Sequence, residues 1–150
     1  MQLDPEVQEY LRHEIAAFID RLAEPAARSV YAPLLPAVEA AEIPDDLLDP
    51  LGRVLELSLG SGRLRKLHGP QAEESAMRLF RRSPRGRAIQ QTFDETNQAL
   101  AGLQGQTIRS MSLAPGNPGA FALSIETDRC RARFILDGAG ARCKSVELDF

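Results

Sequence analysis

His68 stands in the densest run of cations in the chain: Arg63, Leu64, Arg65, Lys66, Leu67, His68 and Gly69, followed by Arg78, Arg81, Arg82, Arg85 and Arg87. Guanidinium forks grip carboxylates and phosphates at two points. Arg78, Arg81 and Arg82 are three and four residues apart, the spacing that puts side chains on one helix face. An anion- or partner-binding surface built from Arg63, Arg65, Lys66, His68, Arg78, Arg81, Arg82 and Arg85 is therefore the sharpest site the residue types offer. Its plain competitor is internal pairing. Glu74 precedes Arg78 by four positions, Glu73 lies beside it, and the acidic N-terminal helices can neutralise the remainder within the fold.

Acid–base chemistry has one candidate in this segment, His68, with Glu73 and Glu74 spaced to orient its ring. No nucleophile, metal-ligand pair or second histidine completes a set, so a small hydrolase or transferase using His68 ranks behind binding. His13, between Arg12 and Glu14, reads as a surface residue. Gly60, Ser61 and Gly62 do not make a phosphate loop, which needs a strand before it and Gly-Lys-Ser/Thr after it; here a helix precedes and the glycines read as its cap. Cys130 and Cys143 lack a C-x-x-C spacing or a nearby histidine and read as small hydrophobes of a reducing compartment. No metal or cofactor is expected.

Charge is distributed unevenly. Residues 1–60 hold 4 basic and 12 acidic side chains, residues 61–87 hold 8 and 2, and residues 88–150 hold 6 and 7. The middle segment thus carries +6 between stretches of −8 and −1, which marks an anion-binding patch or an interface where acidic and basic faces meet. The 18 basic residues comprise 16 Arg and 2 Lys, a skew that a GC-rich genome produces and that weakens the case for nucleic acid. Base readout has no motif behind it, and aromatic residues make up only 5% of the chain.

The elements that must position these residues change character once along the chain. Up to about residue 104 the apolar period is helical. Asp4 and Pro5 open a first helix with Val7, Leu11, Ile15, Phe18 and Leu22 on its stripe. Pro33 and Pro36 break a second near Ala32. Leu48, Leu51, Leu55 and Leu59 mark another, stopped at Gly60. Gly69 and Pro70 start the next, with Ala72, Ala76, Leu79 and Phe80 inward. Ser83 and Pro84 start the last, striped by Ile89, Phe93, Thr96, Leu100 and Leu103.

From Gly105 the period becomes two, and four strands are expected near 106–113, 120–126, 129–136 and 142–149. A turn centred on Thr127 and Asp128 pairs Ile125 with Cys130, Leu123 with Ala132, Phe121 with Phe134, and Glu126 with Arg129. On the polar face Arg129, Arg131 and Arg133 meet Glu126, Glu147 and Asp149. Val146, Leu148 and Phe150 point to the apolar face; Cys143, by parity with Ser145 and Glu147, points away from it, and Cys130 towards it.

A chain of 150 residues with 43% hydrophobic and 26% charged side chains is expected to fold as one α+β domain, residues 1–150. Residues 1–104 form helices packed on one face of an antiparallel β-meander of residues 105–150. No export signal or membrane-length apolar run is visible, so a cytoplasmic location and no membrane partner are expected. The reading that follows is a non-catalytic accessory protein of the bacterial cytosol that binds another protein. A polyanion or nucleic acid bound through residues 63–87 is the alternative, and the charge asymmetry also allows self-association.

Overall fold

The computed structural model describes residues 1–148, so the expected strand positions of Asp149 and Phe150 lie outside the described residues. The chain runs α1 (Pro5–Arg21), α2 (Pro25–Tyr31), α3 (Leu34–Glu39), a 3-10 turn (Asp45–Leu47), α4 (Leu48–Gly60), α5 (Arg63–Arg82) and α6 (Pro84–Ala101). Then come β1 (Ile108–Pro115), β2 (Phe121–Thr127), β3 (Cys130–Asp137) and β4 (Gly140–Leu148), antiparallel in the order β1-β2-β3-β4. The fold is α+β, with helices first and a four-stranded meander last. Two compact units divide inside α6, the first being Met1–Arg87 and the second beginning at Ala88.

The first unit is a helical core. Pro5 opens α1, where its missing amide costs nothing. The buried face of α1 is wider than one stripe, since Tyr10 and Glu14 join Val7, Leu11 and Ile15. Leu34, Val38 and Ile43, Leu51, Val54 and Leu55 of α4, and Leu64 of α5 complete the core, all almost without exposure. The chain breaks between α2 and α3 where expected, at Pro33, whereas Pro36 is accommodated in the first turn of α3. Helix begins again at Arg63 rather than at Gly69, because Leu64 is drawn into the core. Gly69 takes φ 86° and ψ 175°, so α5 is interrupted there and Pro70 restarts it without needing a donor.

In the second unit the side-chain faces follow the expected parity, but the β2–β3 register is offset by two residues. Ile125 pairs with Ala132, Leu123 with Phe134, Phe121 with Leu136, and Glu126 with Arg131. The turn sits one residue later than expected because Thr127 belongs to the strand: it is buried, and its hydroxyl accepts the Cys130 amide at 2.9 Å. An offset of two leaves every side chain on its face. Arg131 of β3 then reaches Glu126 at 3.5 Å and is in register with Glu147, the opposite-charge pairing expected of the polar face.

The β3–β4 ladder contains a bulge. Arg133 pairs with Ser145 but Phe134 pairs with Cys143, leaving Lys144 as the extra residue. Parity reverses there, so Cys143 lies on the apolar face, packed against Phe134, Ala132 and Ile125, contrary to the outward position its spacing predicts. Cys130 is buried on that face as expected. Helix α6 covers the middle of this face through Ala99, with Leu103 just beyond it. Leu100, expected inward, is 41% exposed, because the small Ala99 makes the contact instead. Thr96 is buried; its hydroxyl accepts the Cys143 amide at 3.2 Å and lies 3.1 Å from the Ala141 carbonyl.

Thr96→Val keeps the shape and removes that partner beside the bulge, so it should destabilise the second unit by about 1–3 kcal/mol. Leu100→Ala should cost clearly less. Urea denaturation checks both, and equal losses would mean that Thr96 does not serve β4.

Candidate functional site

The polar centre of the first unit is a carboxylate that spacing alone did not single out. Glu14 is 2% exposed. Ser58 Oγ of α4 donates to its Oε2 at 2.9 Å, and Arg63 Nε of α5 donates to both oxygens at 3.0 and 3.2 Å. His68 Nε2 lies 3.2 Å from Oε1, where it donates to the carboxylate in the tautomer that carries its proton on Nε2. The signal for this was present: Glu14 lies seven residues after Val7 and four before Phe18, on the apolar stripe of α1. A carboxylate at such a position is buried only when charged donors reach it.

His68 is therefore oriented by Glu14, and neither Glu73 nor Glu74 holds it. Its ring stacks on His13 at 5.8 Å and is tilted against Tyr10 at 6.1 Å. Burial pushes the Tyr10 phenol up, against the smaller opposing pulls of the Ser75 hydroxyl, which donates to it at 2.9 Å, and the Arg78 charge. Tyr10, His68, Gln71, Ser75 and Arg78 line a cleft of about 950 Å³ together with Asp4, Glu6 and Glu9. The Glu14 oxygens already take three donors. The arrangement holds α1, α4 and α5 together around one buried negative charge.

The cations of residues 63–87 separate into two sets. Arg63 pairs with Glu14, Arg65 with Glu73 at 3.2 Å, and Arg78 with Glu74 at 2.9 Å. Arg85 reaches Glu56 at 3.1 Å and Asp49 at 3.6 Å. For these four, internal pairing is what the structure shows. Lys66, Arg81, Arg82 and Arg87 have no carboxylate within ion-pair distance among the described residues. Arg78 does not stay with Arg81 and Arg82: it lines the Tyr10 cleft, whereas Arg81 and Arg82 line a separate hollow with Arg87. Arg87, which spacing alone does not group with them, is brought in by the corner between α5 and α6.

Among the described residues no three His, Cys, Asp or Glu side chains gather as a metal-ligand set, and no helix is long and apolar enough to cross a membrane. Glu14→Gln should lower stability by about 2–4 kcal/mol, since it leaves Arg63 and His68 facing a neutral amide. Arg65→Ala, at a pair two-thirds exposed on the arginine side, should cost within about 0.5 kcal/mol. Chemical denaturation distinguishes the two, and similar small losses would put Glu14 in water. No protein-family model matches this sequence, and no curated protein or solved structure matches it either.

Proposed function

We propose that the chain is a non-catalytic interaction protein that binds another protein along β1. The observation that supports this is the bareness of that strand. All eight residues of β1 are exposed. On the apolar face Met111 is 57% and Leu113 61% exposed, and Phe121 at the start of β2 is 50% exposed. One strand further in, Ile125 lies buried in the cluster that Ala99 and Leu103 cover.

An edge strand offers unpaired amides and carbonyls to an incoming strand, with alternate side chains adding grip. Natural edges are commonly guarded by charge. Here Arg109 is the one charged residue of β1, at its beginning, and Pro115 ends the strand. The run Ser110–Ala114 between them is uncharged, and Met111 and Leu113 project from it to the same side as Leu123 and Ile125. A partner strand laid there extends the sheet and covers the apolar flank.

With the full chain as bait in native lysate, a protein retained by the wild type should be lost with Met111→Lys plus Leu113→Lys. It should persist with Arg81→Glu plus Arg82→Glu. Circular dichroism should be unchanged in both, since exposed substitutions cost within about 0.5 kcal/mol. Light scattering reports whether the partner is a second copy, which the lysine pair would then split. A partner retained equally by the lysine pair would overturn the reading.

A further inference from the structure

The corner between α5 and α6 gathers Arg81, Arg82 and Arg87, three cations with no ion pair among the described residues. Ser83 makes the corner: its hydroxyl donates to the Phe80 carbonyl at 2.6 Å and accepts the Gly86 amide at 3.1 Å, capping α6. Gly86 is required there, because a Cβ at that position would lie 2.0 Å from the Phe80 carbonyl oxygen. This close approach brings the first turn of α6 back over the last turn of α5. Arg87 is thereby set beside Arg81 and Arg82 around a hollow of about 450 Å³, completed by Met1, Leu48 and Asp45.

The carboxylates of α4 and α5 already pair with other arginines. Glu73 and Glu74 serve Arg65 and Arg78, Glu56 serves Arg53 and Arg85, and Glu14 serves Arg63. Asp45 lines the hollow, yet no arginine there comes within ion-pair distance of it among the described residues. Three arginines lining one concavity repel one another, and an anion between them relieves that repulsion. The positive end of the α6 dipole adds to the same field.

We infer that Arg81, Arg82 and Arg87 form a binding site for a phosphate-class oxyanion carrying at least two negative charges. Each planar fork can give two parallel hydrogen bonds to phosphate oxygens, which favours that class over a single carboxylate. The hollow admits a phosphorylated small molecule, and it is open enough to take a phosphodiester of a nucleic-acid strand. Asp45 opposes the anion and sets an upper limit on the affinity. This site is independent of partner docking on β1.

The test uses the full chain, with sodium pyrophosphate followed by calorimetry and a fluorescein-labelled single-stranded oligodeoxynucleotide followed by anisotropy, at low and moderate salt. The wild type should bind pyrophosphate, and binding should weaken as salt rises. Arg81→Gln with Arg82→Gln and Arg87→Gln should weaken it roughly tenfold or more. Lys66→Gln with Arg109→Gln and Arg129→Gln, which removes the same net charge elsewhere, should change it less than about twofold. Asp45→Asn should tighten it about two- to threefold. Tight oligonucleotide binding that pyrophosphate displaces would identify the phosphates as those of a nucleic acid; pyrophosphate binding alone would identify a small phosphorylated ligand. Absence of binding of either probe to the folded wild type, or equal weakening in the two triple variants, would overturn the site.

Discussion

Everything in the first unit is arranged around the cost of burying Glu14. An isolated carboxylate cannot remain charged in an apolar core, so its position dictates that donors arrive from elsewhere in the chain. They do so from Ser58, Arg63 and His68, which are 44, 49 and 54 positions away. Because each donor belongs to a different turn of α4 or α5, satisfying one carboxylate fixes the rotation of two helices against α1. Apolar packing alone tolerates small rotations and slides; a charge with three required partners does not.

The same requirement explains the ordering of the basic segment. Leu64 is fully buried, and its neighbour Arg63 turns its Nε onto Glu14. The short helical run before Gly69 therefore exists to present Arg63 and His68 to one oxygen pair. Beyond the break at Gly69, no arginine of α5 pairs with a buried carboxylate among the described residues. Arg78 pairs along the helix with Glu74, and the guanidinium groups after it have no comparable obligation.

Much of this was legible from residue types. The switch of apolar period near Gly105, the broken second helix and the one-sided sheet follow from proline chemistry and from the spacing of Val, Ile, Leu and Phe. What escaped is instructive in each case. Glu14 sat on the stripe of α1, but its type argued for solvent, and only the distant donors reverse that preference. The register of β2 against β3 differs by two from the one that spacing predicts, because a threonine can end a strand or open a turn, and the choice is made by its buried hydroxyl. Cys143 changed faces because a bulge at Lys144 reverses parity, and no composition signal marks a single extra residue in a ladder. In the basic segment, pairing within α5 was readable from four-residue spacing; the grouping of Arg87 with Arg81 and Arg82 depends on the tight corner at Gly86.

The meander has a further consequence, for the order in which the molecule comes together. Each strand pairs with its immediate successor, so the sheet closes by successive short loops, and little chain entropy is lost before each hairpin is rewarded. Glu14 is in the opposite position. During synthesis its helix is made well before Ser58, Arg63 and His68, and it must stay hydrated until α4 and α5 have emerged. Locking of the first unit thus depends on closing long loops, whereas each hairpin of the sheet closes a short one.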